Sequence, residues 1–336
     1  MGPSGCSYEE WRHVAASNYG HTSVRLISEI HSYSTHYAYS HHNSRFILSR
    51  VEKAYSRPTF GTQFKIVEAL RQAGLSVVSL PVCRESTHSS PSEVPYWVDG
   101  PGNYWFCRRF IKHRQADWSS NTLIERAAVT LADVHRAEVK PWLPAHEFYH
   151  FVADRLDPYY WSVLEILNRF GDLVARLHES HMSPDEAIEV MHLAKELPAE
   201  ARDIDLGPVG LTHADYRPEN ILVSRRGRIL EVIDWDRARP DHQLFDAVVA
   251  GLQFAKWNSQ RGRNDLQVAH RFVDVYRDAC GIDVDAAAVR WMFRFTFVKA
   301  LLLSRNPGLW LPLFRAYTDT DRSISIPVGS APVLTY

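Results

Sequence analysis

The sequence predicts an α+β protein with two lobes: a small lobe built on an antiparallel sheet with one main helix, and a larger lobe that is mainly helical. Two observations lead to this prediction. The first third of the chain combines strand-like runs with turns, whereas helical periodicities dominate after Phe110. The length of 336 residues allows about two domains or lobes. We therefore expect the small lobe over residues 1–110 and the large lobe over residues 111–336.

Composition and charge exclude several classes of protein. Apolar residues make up 45% of the chain, and 38 lysines and arginines nearly balance 39 aspartates and glutamates. This excludes a disordered chain and gives no global attraction to nucleic acid or an anionic membrane. The four cysteines lie far apart without a Cys-x-x-Cys pair, which argues against a disulfide framework and favours a reducing compartment. With no apolar run of about 18 residues and no signal-peptide core, we expect a cytoplasmic protein.

Strand and turn signals fill the predicted small lobe. Residues rich in Tyr, Ile, Val and Ser are interrupted by a turn signal at Asn43-Ser44, and a second turn signal precedes the strand that ends at Arg109. Between them, apolar residues at helical spacing end at Gly74 and predict the main helix. The predicted elements are strands over 25–34 and 37–51, a helix over 63–73 and a strand over 104–109.

Apolar residues at helical spacing dominate the predicted large lobe, and short apolar runs in its middle predict strands. The predicted elements are helices over 121–137, 159–178 and 286–303, and strands over 210–212, 221–223 and 229–233.

A polar loop between two of these strands carries the most informative pattern. His213, Asp215 and Asn220 follow the spacing His-x-Asp-x4-Asn, and Asp234 follows the last strand. Phosphoryl transfer uses such groups, because one carboxylate accepts the proton of an attacking hydroxyl while amide and carboxylate oxygens hold Mg2+ against nucleotide phosphates. Hard oxygen ligands suit Mg2+ better than zinc. The alternative interpretation is a polar turn without function, because Asp and Asn also favour turns.

At these residues the sequence resembles the aminoglycoside phosphotransferase/choline kinase family. The His-x-Asp-x4-Asn pattern, a short hydrophobic strand and the following Ile-Asp-Trp carry the resemblance, and weaker similarity extends over residues 25–255. The resemblance implies a two-lobed protein-kinase-like fold, in which a nucleotide-binding lobe precedes a catalytic and acceptor-binding lobe. It also implies a phosphotransferase that uses ATP or GTP with Mg2+ and an alcohol group as acceptor.

The resemblance also implies roles for the residues of the motif. Asp215 would be the catalytic base, and Asn220 and Asp234 would be the Mg2+ ligands. His213 would hold the loop by hydrogen bonds, and Asp246 would have a structural role.

The predicted nucleotide-binding residues depart from the family pattern. No glycine occurs in the stretch where a glycine-rich phosphate loop is expected, and Ser34 stands there instead. Arg50 is the cation that fits the place of the family's phosphate-pairing lysine, whereas Ser49 fills that place if the register differs by one residue.

The connection between the two lobes is the remaining part of the predicted nucleotide site. The resemblance implies that the backbone around Arg109, Phe110 and Ile111 contacts adenine.

Several acidic residues between positions 185 and 205 bear on the identity of the acceptor. They are either an ordinary solvated helix face or a wall that binds the amino groups of an aminoglycoside or amino alcohol. We expect a small, cationic, hydroxyl-bearing acceptor. A kinase for Ser or Thr of a peptide is a second hypothesis, and a pseudokinase that binds a partner is a third.

Overall fold

The structure is a computed structural model that describes residues 8–31, 34–51, 62–75, 97–137, 162–168, 171, 182–261, 266–303 and 307–324. The described strands are β1 (Val24–His31), β2 (Ser34–His41), β3 (Ser44–Val51), β4 (Trp97–Val98), β5 (Tyr104–Arg109), β6 (Val209–Thr212), β7 (Ile221–Val223), β8 (Ile229–Val232) and β9 (Arg239–His242). The described helices are α1 (Tyr8–Tyr19), α2 (Thr62–Gln72), α3 (Asn121–Arg136), α4 (Val163–Asn168), α5 (Pro184–Glu200), α6 (Gln243–Ser259), α7 (Gln267–Cys280), α8 (Ala286–Leu303) and α9 (Leu311–Ile324).

These elements belong to two structural units. The first unit contains the described residues up to Ala116 together with Asn220–Ala238. The second contains Asp117–Arg136, the described residues from 162 to Glu219, and those from Arg239 onward. The lobe boundary near residue 110 stays a prediction.

A five-stranded antiparallel sheet with the order β1-β2-β3-β5-β4 forms the centre of the first unit. The stretch 37–51, with its predicted turn at Asn43-Ser44 between two strands, forms most of the hairpin of β2 and β3, which the pair His41 and Ser44 closes. The turn therefore falls at His42 and Asn43, one residue earlier than predicted, and His42 has a positive φ of 49° that suits a two-residue turn.

The two faces of this sheet contact different helices. One face packs against α1, which was not predicted, and Trp11 of α1 stacks on Tyr37 with 5.6 Å between ring centroids. On the opposite face, Phe64 of α2 meets Phe106 of β5 edge-on. The buried cluster of the α1 face comprises Trp11, Val14, Ala15, Tyr19, Tyr37, Tyr39, Phe46, Leu48, Trp105 and Cys107.

The hairpin of β7 and β8 also belongs to the first unit. The backbone amide of Arg114 donates to the carbonyl of Val223 over 2.9 Å, which ties this hairpin to the segment that follows β5. The 3-10 turn Trp235–Arg237, just after β8, packs against α2. The fold thereby attaches the segment with Asp234 to the sheet-containing unit.

The second unit consists mainly of helices, with the two-stranded sheet of β6 and β9. The predicted helices over 121–137 and 286–303 are confirmed as α3 and α8. Within the helix predicted over 159–178, the described residues show α4, and much of the rest of that range lies outside them. None of the described helices is both long and apolar enough to span a membrane.

Helix α6 is buried along most of its length and packs against α7. A Cβ atom on Gly251 of α6 would lie only 2.9 Å from the carbonyl oxygen of Ala269 in α7. Glycine is therefore needed at this position for the two helix backbones to approach so closely.

Candidate active site

The loop with His213 and Asp215 begins where β6 ends. The hydroxyl of Thr212, the last residue of β6, donates to the backbone carbonyl of Arg239 in β9 over 2.8 Å. His213 and Asp215 are both buried, and the amide of Asp215 donates to Nδ1 of His213 over 3.3 Å. Ala214 has a φ of 60°, in the left-handed region that costs a non-glycine residue about 1–2 kcal/mol.

Asp246, in the first turn of α6, holds this strained segment. Its Oδ2 accepts the amide of His213 over 2.8 Å, and its Oδ1 accepts the amide of Ala214 over 3.0 Å. Nε2 of His135 lies 3.1 Å from the same Oδ2, and Nδ1 of His135 lies 2.7 Å from the hydroxyl of Tyr276. Helices α3, α6 and α7 thus fix the backbone of the loop through one carboxylate.

The pKa of Asp246 reflects this arrangement. Complete burial acts to raise the pKa, but the hydrogen bond and charge of His135 and the interactions with His213 outweigh it and lower the pKa below its usual value. The carboxylate is therefore stabilised in its charged, accepting form. Its contacts give Asp246 the structural role that the resemblance implied.

Two cationic side chains lie near Asp215 within the second unit. Nε of Arg217 is 3.6 Å from Oδ2 of Asp215. Lys256 of α6 is close enough for the charges of Asp215, Arg217 and Glu219 to act on it. The sequence analysis did not identify Lys256, because it lies 41 residues from Asp215 in the chain on a mostly buried helix.

The two predicted Mg2+ ligands lie at the open end of the β7–β8 hairpin, where Asn220 directly precedes β7 and Asp234 follows β8. The amide of Ile233 donates to the carbonyl of Asn220 over 2.9 Å, so the residues next to each strand end are joined. The side chain of Asn220 is buried, whereas Asp234 is exposed and has φ 71° and ψ 56°. An amide and a carboxylate at one strand end fit a hard cation such as Mg2+. The structure thus brings Asn220 and Asp234 together in the first unit, while His213 and Asp215 belong to the second.

Arg50 lies on the face of the sheet that contacts α1. In β3 it is paired with Trp105 of β5, and its guanidinium carbon is 5.7 Å from the centroid of the Trp105 ring. Ser49 points to the opposite face, where its hydroxyl hydrogen-bonds Nδ1 of His36 over 2.9 Å. The phosphate contact of Arg50 stays a prediction, and this geometry favours the alternative register in which Ser49 fills the place of the expected lysine.

Arg108 of β5 is a second cation of the sheet, which the sequence analysis did not consider for the nucleotide site. It follows the buried Cys107, so alternation along the strand directs it to the face with Ser49 and His36. Burial lowers the pKa of Arg108, and the charges of Glu231 and Asp234 oppose that shift. The sequence of β5, Tyr-Trp-Phe-Cys-Arg-Arg, does not alternate between apolar and polar residues, so it contains no signal that distinguishes Arg108 from Arg109.

The remaining predicted nucleotide-binding residues lie at strand ends of the first unit. Ser34 is the first residue of β2, and its side chain lies outside the described part of the structure. Arg109 is exposed at the end of β5, and the amide of the next residue, Phe110, donates to the carbonyl of Arg45 over 2.8 Å. That amide is therefore engaged within the sheet, while Ile111 is half-buried in the segment that follows.

Most of the contacts of the acidic residues around α5 are structural. Glu186 forms a capping box with Ser183 and also pairs with Arg315. Glu196 and Glu200 both pair with Arg294. These contacts favour the interpretation of an ordinary helix surface over that of a wall for cationic acceptors.

Comparison with solved structures identifies the fold. The spectinomycin phosphotransferase solved with ADP and spectinomycin is 12% identical, with a TM-score of 0.60, over 91% of this chain and 93% of that one. An amicoumacin kinase solved with AMP-PNP, Ca2+ and Ami is 16% identical, with a TM-score of 0.58, over 95% and 94%. The Plasmodium vivax ethanolamine kinase is 11% identical, with a TM-score of 0.58, over 94% and 89%. These likenesses confirm the predicted two-lobed protein-kinase-like fold.

Comparison at the level of sequence identifies the family. No curated protein sequence matches the chain. The model of the phosphotransferase enzyme family, however, matches residues 26–280, which is most of the 336-residue chain and includes the whole motif from His213 to Asp234. The chain therefore belongs to the phosphotransferase enzyme family and is a phosphotransferase, as the motif predicted.

Proposed function

We propose that the protein transfers the terminal phosphoryl group of Mg2+-bound ATP to a hydroxyl group of a small molecule. The observation that carries this proposal is the buried loop with Asp215, which Asp246 holds in a left-handed turn. The complexes of similar structures with ADP and AMP-PNP support an adenine nucleotide, although GTP remains an alternative. We propose a cytoplasmic location from the cysteine usage.

In this proposal Asp215 orients the acceptor hydroxyl and takes its proton as the hydroxyl oxygen bonds to the terminal phosphorus and the bond to the leaving nucleotide breaks. The carboxylate of Asp215 is suited to this because Arg217 at 3.6 Å balances its charge in a buried setting. His213 positions Asp215 by accepting its backbone amide. A general base in such a position contributes about a hundredfold to ten-thousandfold to the rate.

Asn220 and Asp234 would hold the Mg2+ ion, which supplies charge neutralisation for the nucleotide phosphates. We propose Arg108 as the phosphate-binding cation of the first unit, because it shares an electrostatic environment with Asp234 and lies on the face of Ser49. Arg50 is the alternative cation, as the sequence analysis proposed.

The acceptor in this proposal is defined by its class, a small molecule with a hydroxyl group. Relatives of the same fold are described as acting on spectinomycin and ethanolamine, which supports a small hydroxyl-bearing molecule. Of the seven acidic residues behind the expectation of a cationic acceptor, Glu186, Glu196 and Glu200 pair with Arg294 or Arg315. A Ser or Thr of a peptide is the alternative acceptor.

Calorimetry and a transfer assay test the proposal together. ATP with Mg2+ should bind, and binding at tenfold excess over the dissociation constant should stabilise the folded state by about 1.4 kcal/mol. ADP release should then depend on an added hydroxyl compound. Absence of binding at millimolar nucleotide would contradict the nucleotide site, and binding without any transfer would contradict the proposed reaction.

A further inference from the structure

Lys256 lies on the same helix that holds the catalytic loop. Asp246, in the first turn of α6, binds the amides of His213 and Ala214. Lys256 is ten residues further along this helix, which corresponds to about 15 Å. The charges of Asp215 and Glu219 act on Lys256. The start of the loop therefore lies at the first turn of α6, and its later residues lie closer to the last turns. One rigid helix therefore fixes the position of Lys256 relative to the proposed base.

The environment of the Lys256 ammonium is apolar on one side and charged on the other. Its Nζ lies 4.5 Å from the centroid of the Trp310 ring, and Trp310 is buried. Desolvation lowers the pKa of Lys256, and the charges of Glu219 and Asp215 oppose the shift while that of Arg217 adds to it. Among the residues that the structure describes, none forms an ion pair or hydrogen bond with this Nζ.

The charged residues around Lys256 leave its ammonium without a close partner. Oδ2 of Asp215 lies 3.6 Å from Nε of Arg217, and the charge of Asp215 acts on Lys256 without forming an ion pair with it. Glu219 has the larger effect of the two acidic residues, but it is exposed, where water weakens its interaction with the ammonium. An anionic group of the acceptor would give the ammonium the charge-assisted partner that it lacks among the described residues.

We propose that Lys256 binds an anionic group of the acceptor, a carboxylate or a phosphate ester, close to the hydroxyl that receives the phosphoryl group. The inference rests on the proposed function, since it takes Asp215 as the point where the acceptor hydroxyl lies. The ring of Trp310 supports the ammonium from one side and leaves its other donors directed away from the ring. Lys256 is thus a specificity-determining residue for an anionic alcohol.

A panel of hexoses that differ in charge tests this inference. Glucosamine, glucose, glucuronate and glucose 6-phosphate all offer hydroxyl groups on a similar ring, and their added groups are cationic, neutral, carboxylate and phosphate. Transfer from ATP with Mg2+ is measured as ADP release and as the phosphorylated product, with kcat/KM for each compound. Glucuronate and glucose 6-phosphate separate the two possible sources of negative charge.

Three variants accompany the panel. Lys256→Met keeps the apolar stem and removes the charge, and Lys256→Glu reverses the charge. Lys299→Met is the matched control, because Nζ of Lys299 also lies over an aromatic ring, that of Phe245, at 4.9 Å. If the loss of a lysine–aromatic contact were enough to change kcat/KM, Lys299→Met and Lys256→Met would change it alike.

We expect an anionic hexose to be preferred over glucosamine by roughly ten- to hundredfold in kcat/KM, which is the range for a charge-assisted hydrogen bond. Lys256→Met should abolish this preference, Lys256→Glu should reverse it, and Lys299→Met should retain it. Equal use of all four compounds, preference for glucosamine, or a preference that survives Lys256→Met would overturn the inference and leave the proposed function intact. Transfer to none of the four compounds by a protein that binds ATP with Mg2+ would also overturn the inference, whereas absence of nucleotide binding would overturn the proposed function.

Discussion

The imidazole of His135 lies against the carboxylate of Asp246, with 3.1 Å between Nε2 and Oδ2, and both side chains are buried. The same carboxylate accepts the backbone amides of His213 and Ala214. Asp246 thus connects α3 to the proposed catalytic loop and accepts two amides at the left-handed turn of Ala214.

Replacement of Asp246 by alanine should be strongly destabilising. It leaves the buried amide of His213, the partly buried amide of Ala214 and the buried imidazole of His135 without their acceptor, and removing a buried, hydrogen-bonded carboxylate in this way costs about 3–5 kcal/mol. Urea unfolding monitored by tryptophan fluorescence measures the loss. Glu68→Ala is a suitable control, since Glu68 lies on the surface of α2 and pairs only locally with Arg71 and Gln72. A loss of unfolding free energy below about 0.5 kcal/mol for Asp246→Ala would contradict the role of Asp246 in holding the loop.

The contribution of Asp246 to stability should depend on pH. Its pKa in the folded protein is lower than usual, so its stabilising effect is fully present above the unfolded pKa of about 3.9 and is lost as the pH falls through the lower folded value. The difference in unfolding free energy between the wild type and Asp246→Asn should therefore stay constant from pH 7 to 5 and shrink below pH 4 or so. A difference that grows on acidification would contradict the direction of the shift.

Asp215 and Asp234 should respond differently to the same substitution. Asp215→Asn should leave the affinity for ATP with Mg2+ nearly unchanged and reduce transfer by about 10²–10⁴, because the base acts on the acceptor. Asp234→Asn should weaken nucleotide binding, and only when Mg2+ is present. Calorimetric titration with and without Mg2+, paired with the transfer assay, separates the two effects. Equal losses of binding in both variants would show that this division of roles is wrong.

Arg108 and Arg50 form a matched pair for locating the phosphate-binding cation, because they lie on opposite faces of the same sheet. If Arg108 contacts the phosphates, Arg108→Met should weaken ATP and ADP binding by roughly ten- to hundredfold and leave adenosine binding unchanged. Arg50→Met should then alter the stability of the protein, because it removes the contact of Arg50 with Trp105, and should leave the dissociation constants for ATP and ADP unchanged.

Arg45→Met controls for the removal of a positive charge from the sheet, since Arg45 is exposed in β3. The opposite result would restore Arg50 as the phosphate contact. In that case Arg50→Met would raise the dissociation constant for ATP, and Arg108→Met would leave it unchanged. An equal loss for adenosine and ATP in Arg108→Met would indicate a general disturbance of the unit.

Gly251→Ala should destabilise the second unit. Its new Cβ would lie 2.9 Å from the carbonyl oxygen and 3.2 Å from Cα of Ala269, both of them backbone atoms with little freedom to move. Overpacking of this kind costs about 1–3 kcal/mol. Gly100→Ala, where a Cβ would meet no atom within 4 Å, should stay within about 0.5 kcal/mol in the same urea experiment.

The class of fold and the chemistry of the loop can be inferred from the sequence alone. The spacing of His213, Asp215, Asn220 and Asp234 is local information, and the family match over residues 26–280 agrees with it. Helices α3 and α8 were predictable for a similar reason, because apolar residues at helical spacing report a buried face directly. Helix α1 was missed, since its apolar residues are few and gain their significance only against the aromatic face of the sheet.

Which side chains come into contact depends on the tertiary structure. Residues on a strand alternate between two faces, so a shift of one residue exchanges Ser49 with Arg50, and the sequence contains no local signal that selects between them. The pairing of β3 with β5 selects the face, and it places Arg50 over Trp105. Likewise, His135 and Asp246 lie 111 residues apart in the chain and become partners only when α3 packs beside α6. Such contacts depend on long-range packing, which local periodicity does not encode.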